Sequence, residues 1–138
     1  MDAATLISQH EGLRLKVYLI DGHETIGYGR DMRTEGITEA EANYLLHNDI
    51  IAATTFLQTF DFYSNLNESQ RAALIDMVYN LGKGGFEEFT IMLACLDKAD
   101  YAGAAAAMLD STWATQVSGR ARDDATLMRS SLTTLEGV

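Results

Sequence analysis

The dipeptide Asp21-Gly22 stands between two strand-like runs, Val17-Tyr18-Leu19-Ile20 and His23-Glu24-Thr25-Ile26-Gly27-Tyr28-Gly29. It constrains the fold more than any other feature of the chain. A type I′ hairpin turn needs positive φ at both central residues, and Asp-Gly is one of the few pairs that accept it. Around this hairpin the periodicity is helical. Residues 2–12 read as an amphipathic helix with Asp2 as N-cap, Leu6 and Ile7 on one face and Gly12 at the end. Thr38 and Glu41 form a capping box ahead of Ala42, Leu45, Leu46, Ile50, Ala53 and Phe56, which predicts a long helix over about 38–60. Asn67 and Gln70 repeat the signature before the run 72–81, with Gly82 placed to close that helix. This run is apolar on most sides, so it should lie at the centre of the core. Shorter helices are predicted over roughly 86–96, 100–110 (capped by Asp100) and 119–132.

One hairpin among helices is an α+β arrangement, mostly helical, in which the helices supply nearly all the core. A chain of 138 residues fits a single domain. The expected layout is a hairpin lobe at about 13–35 and a helical lobe at about 60–138, joined by the helix at 38–60, with a cleft between the lobes as the natural ligand site. Hydrophobic residues at 47% and charged residues at 22% exclude a disordered chain. No Pro, linker-like run or internal repeat marks a second domain.

Twenty acidic against ten basic residues leave a formal net charge of −10. Such a surface repels polyanions, so nucleic acid is not an expected ligand. The same charge opposes an anionic target such as a bacterial wall, unless a local basic patch around Arg14, Lys16, Arg30 and Arg33 offsets it. Cys95 lies alone in the apolar run 91–96, and His10, His23 and His47 form no metal spacing, so neither a disulfide nor a metal nor any other cofactor is expected. The start Met1-Asp2-Ala3-Ala4-Thr5 lacks the pattern of a signal peptide, and no apolar run reaches membrane-spanning length. The expectation is synthesis in the cytoplasm, no membrane insertion and a monomeric protein.

The chemistry-bearing segment is His10-Glu11-Gly12-Leu13-Arg14-Leu15-Lys16-Val17-Tyr18, followed by the hairpin through Arg30. It sets a carboxylate at a helix end against a hairpin with a second carboxylate. Glycoside hydrolysis needs such a pair, one group protonated to donate to the leaving oxygen and one ionised to activate water. Any helix followed by a hairpin can show this spacing, so the pattern alone does not select catalysis.

At these residues the chain resembles the lysozymes of the T-even bacteriophage type, glycoside hydrolase family 24. The resemblance runs through Glu11-Gly-Leu-Arg-Leu-Lys-x-Tyr18, Thr25-Ile-Gly-Tyr-Gly29, Gly36-Ile-Thr38, Asn48-Asp49, Gln70-Arg-Ala-Ala-Leu74, Asn80-Leu-Gly82, Phe89-Thr90, Ser111-x-Trp113-x-x-Gln116 and Arg120-Ala121. It implies a lysozyme-like fold and a muramidase that cleaves the β-1,4 bond between N-acetylmuramic acid and N-acetylglucosamine in peptidoglycan. It also implies host-cell lysis, with a separate membrane-opening protein, a holin, giving access to the wall.

The resemblance further implies Glu11 as general acid, Thr25 as a holder of the attacking water, and Arg120 as a supporting partner of Glu11. Tyr28, Gly29, Tyr79, Asn80 and Phe89 match sugar-contacting positions, although Phe89 and Trp113 also read as core. The family's Asp falls two residues after the hairpin Tyr, where this chain has Ile20; the loop is one residue shorter and Asp21 follows. Asp21 is therefore either the second catalytic carboxylate or simply the first residue of the turn. Glu24 and Asp31 stand as further carboxylates. A lytic transglycosylase needs no second carboxylate, and a non-catalytic wall-binding module needs neither, so both remain alternatives.

Overall fold

The computed structural model describes residues 1–130. It forms two compact units, Met1–Leu45 and a unit that begins at Leu46. The first holds helix α1 (Ala3–Glu11), strands β1 (Arg14–Ile20), β2 (His23–Gly27) and β3 (Arg30–Asp31), and the short helix α2 (Met32–Glu35). Helix α3 (Glu39–Leu57) runs from the first unit into the second. The second continues with α4 (Glu68–Glu87), α5 (Thr90–Asp97), α6 (Tyr101–Leu109), α7 (Thr112–Gln116) and α8 (Ser118–Met128).

The expected caps are present. Asp2 accepts the Thr5 amide, Thr38 and Glu41 exchange bonds, Asn67 and Gln70 do the same, and Asp100 accepts the Gly103 amide. Each satisfies amides that a helix start leaves without partners. Asp21 at φ 50 and Gly22 at φ 80 form the tight turn, with Ile20 paired to His23 across it. The sheet is a three-stranded antiparallel meander in the order β1-β2-β3, so it has one strand more than the sequence pattern shows. Its register pairs Tyr18 with Thr25, Leu19 with Glu24, and Thr25 with Asp31, and shifts between Arg14 and Tyr18.

Directly paired residues point to one face of a sheet and alternate residues share that face. Tyr18, Ile20, His23, Thr25 and Asp31 therefore project together. Leu19, Glu24, Ile26 and Arg30 take the other face.

In the second unit, Leu57, Leu74, Met77, Phe86, Met92, Leu96, Met108 and Met128 are fully buried. Each such side chain contributes about 1.5–3 kcal/mol relative to an exposed one. Phe56, Phe60, Phe62 and Phe86 pack ring against ring at 5.2–6.0 Å. Gln70 Nε2 donates to the Met128 carbonyl and Asn67 Nδ2 to that of Ser130, tying the start of α4 to the end of α8.

Several boundaries depart from the sequence reading. Helix α3 stops at Leu57 rather than near residue 60, and a 3-10 turn over Asp61–Asn65 buries Phe62 and Tyr63. Gly82, at φ 77 and ψ 169, breaks the helix as expected, but helical backbone resumes at once and carries α4 to Glu87. Helix α7 is additional, and residues 131 and 132 of the last predicted helix lie outside the described residues.

Candidate active site

Glu11 is the last residue of α1, where Gly12 donates its amide to the Ser8 carbonyl and turns the chain into β1. Its carboxyl group lies against the turn between β2 and β3. A β-carbon built on Gly29 would come within 3.0 Å of Glu11 Cδ and nearer still to Oε2. Gly29 also has φ +79, which disfavours any L side chain. The glycine thus serves two ends at one position, the turn and the close approach of the acid.

Gly29→Ala should lower stability by about 1–2 kcal/mol from the backbone alone. Because the methyl group also displaces the carboxyl, it should cut by about 100-fold any reaction that depends on the placing of Glu11. Thermal unfolding and a reducing-end assay on the same preparation check both effects.

Thr25 is only 3% exposed, and its hydroxyl donates to the His23 carbonyl at 3.0 Å. Toward any further partner Thr25 Oγ1 is therefore an acceptor. Asp21 occupies the first central position of the turn and is exposed. No hydrogen bond to its carboxylate is formed among the described residues. Asp31 caps α2, accepting the Arg33 and Thr34 amides at 3.1 and 3.2 Å through Oδ1, while Oδ2 lies 2.8 Å from His23 Nδ1. These bonds, the Thr34 amide first, hold the Asp31 carboxyl below the usual carboxylate range.

The basic residues of this unit are largely engaged. Arg30 Nε donates to the Gly36 carbonyl and its Nη2 lies 3.8 Å from Glu41, Arg33 reaches Glu24 at 3.9 Å, and Arg14 covers the Tyr18 ring. Tyr28 lines an apolar hollow of about 740 Å³ with Arg14, Ile26, Arg30 and Tyr44.

In the second unit, Arg120 makes a bidentate pair with Asp76, at 2.9 Å from Nε and 2.6 Å from Nη2. Asp124, four residues further along α8, is 3% exposed beside them. Burial and the neighbouring Asp76 push its carboxyl up to about 8. Neither Asp76 nor Asp124 was legible as part of this cluster, because only the crossing of α4 with α8 unites them; the i, i+4 spacing of Arg120 and Asp124 was the one local hint.

Tyr79 and Asn80 are exposed on α4. Asn80 Oδ1 accepts the Trp113 indole N–H at 2.7 Å, and Phe89 meets Trp113 edge-on. Trp113 is buried as expected, whereas Phe89 is half-buried and lines an apolar hollow of about 740 Å³ with Cys95, Ala107 and Gln116. Among the described residues no group of His, Cys, Asp or Glu could hold a metal ion, and no helix is long and apolar enough to cross a membrane.

A family model described as Phage lysozyme matches residues 8–129. The endolysin of Acyrthosiphon pisum secondary endosymbiont phage 1 is 36% identical over 105 residues, which is 73% of this chain and 70% of that protein. The pre-baseplate central spike protein Gp5 of Enterobacteria phage T4 is 30% identical across 88% of this chain, which spans only 26% of the spike protein. Probable T4-type lysozyme 1 of Dictyostelium discoideum is 27% identical, with 85% of this chain and 65% of that protein covered. With a helix-end glutamate against a three-stranded sheet and a family match from residue 8 to residue 129, this chain belongs to the phage lysozyme family.

Proposed function

We propose that this chain is a peptidoglycan hydrolase, a muramidase that cleaves the β-1,4 bond between N-acetylmuramic acid and N-acetylglucosamine, with Glu11 as its general acid. The observation that carries the reading is the seating of the Glu11 carboxyl against Gly29, at the turn of the sheet that bears Thr25. Membership of the phage lysozyme family and the likeness to an endolysin support it. Glu11 donates its proton to the glycosidic oxygen as the C1–O4 bond breaks, and a water held by Thr25 adds to C1. Attack from the face opposite the leaving group gives inversion.

The ionised role falls to Asp21 if the shortened loop carries it to the site, and the resemblance gives Arg120 the supporting one, its guanidinium fixed by Asp76 within its own unit. Tyr28 and Gly29 in the first unit, and Tyr79, Asn80 and Phe89 in the second, are the proposed sugar contacts. Asn80 keeps its amide N–H groups for a ligand while its oxygen holds Trp113. Access to the wall from the host cytoplasm would come through a separate membrane-opening protein.

The turn position of Asp21 favours a second reading, lytic transglycosylation, which requires an acid and no activated water. Product analysis separates the two. Hydrolysis leaves reducing muramic ends, the expected result; 1,6-anhydromuramic ends in their place would establish the transglycosylase.

A further inference from the structure

The hairpin carries a proton acceptor that the family resemblance does not assign. His23 opens β2 and Asp31 closes β3, with Nδ1 and Oδ2 2.8 Å apart. Asp31 cannot turn away, because its other oxygen holds two amides of α2. An ionised carboxylate only accepts, so Nδ1 carries the proton and the lone pair of the neutral ring falls on Nε2. Strand pairing places His23, Thr25 and Asp31 on one face of the sheet. The Thr25 hydroxyl donates to the carbonyl of His23 itself, which leaves Thr25 with lone pairs alone for a water. Glu11 lies against the turn between β2 and β3 at Gly29, two residues before Asp31.

We propose that His23 is the catalytic base of this enzyme and that Asp31 is its positioning residue. The assignment rests on the hydrolase reading above and gives His23 the role of the family's Asp, whose position Ile20 takes in this chain. A water donates one hydrogen bond to Thr25 Oγ1 and the other to His23 Nε2. As its oxygen bonds C1 of the muramic acid residue, the second proton passes to Nε2. The C1–O4 bond breaks, and O4 takes the proton of Glu11. The imidazolium then loses its proton to solvent and Glu11 regains one, so a single water has been added across the bond. Asp31 fixes the tautomer and stabilises the imidazolium. Asp21, at φ 50, is accounted for by the turn alone.

Steady-state kinetics of reducing-end release by the full chain test this. His23→Asn should lower kcat by about 100- to 10,000-fold with KM changed by less than about threefold. Asp31→Asn keeps a good N-cap for α2, so its melting temperature should hold, yet its amide can donate to Nδ1 and place the proton on Nε2. Its kcat should therefore fall at least about tenfold, a loss that a merely structural role for the pair would not produce. His23→Ala should regain activity when imidazole is added to the buffer. The proposal is overturned if His23→Asn retains kcat within about threefold while Glu11→Gln is inactive, or if Asp21→Asn costs more kcat than His23→Asn. A wild-type chain that releases no reducing ends overturns the hydrolase reading itself, and this assignment with it.

Discussion

Glu11→Gln should abolish reducing-end release from peptidoglycan while the protein keeps its fold. The glutamine side chain has nearly the shape of the acid, so it can lie against Gly29 as Glu11 does. It has no proton to give to the leaving O4, and a sugar alkoxide is a poor leaving group at neutral pH. Positioned general acids contribute about 100- to 10,000-fold to rate, so the variant should lose at least that much. Its melting temperature should stay within a few degrees of wild type. Lysis of outer-membrane-permeabilised Gram-negative cells provides a second readout, and unimpaired lysis by Glu11→Gln would remove Glu11 from the acid role.

The second large effect concerns stability against pH, and it arises at the crossing of α4 with α8. The Asp124 carboxyl is pushed up to about 8, first by its burial and then by the Asp76 anion, with Arg120 opposing. Asp76, bonded twice by Arg120, is held below the usual carboxylate range. Burial thus favours a proton on Asp124 beside the Asp76 anion that Arg120 holds.

In the unfolded chain Asp124 ionises near the ordinary aspartate value of about 4. Its raised folded pKa thus contributes stability that is complete below that value. The contribution is lost as pH rises toward about 8, and the loss levels off above it. Each unit of difference corresponds to 1.36 kcal/mol, so the loss over this window is roughly 5 kcal/mol as an upper bound. Denaturant unfolding at a series of pH values should show the decline in wild type. Asp124→Asn, which never ionises, should flatten it. A wild-type profile that does not fall between pH 4 and 8 would show that Asp124 folds as an anion.

The elements legible in the sequence are those with short-range causes. The four caps, the Asp21-Gly22 turn and the break at Gly82 depend on side chains and backbone angles within a few residues of one another. Strand β3 was invisible because two residues have no period. Arg30 and Asp31 form a strand only because β2 offers its edge. Helix α2 was missed although its cap Asp31 and its terminator Gly36 flank it, since four residues are too few for an apolar stripe. The resumption of α4 beyond Gly82 reverses a sound local stop signal, and the burial of Phe86 in the core supplies the reason.

The candidate site divides in the same way. Glu11, Thr25 and the shortened loop around Asp21 stand out in the sequence, as does the resemblance that gives them roles. The bond between His23 and Asp31, eight residues apart, needed the third strand to exist before it could be seen. The bidentate pair of Asp76 with Arg120 spans 44 residues and follows from helix packing alone. By itself the amino-acid order determined where helices start and where the chain doubles back, because those outcomes are settled within a turn or two of backbone. Tertiary structure decided which oxygen of Asp31 meets His23, which carboxyl is buried where α4 crosses α8 and which residues share a face of the sheet, because electrostatics and pairing act through distances that only the folded chain creates.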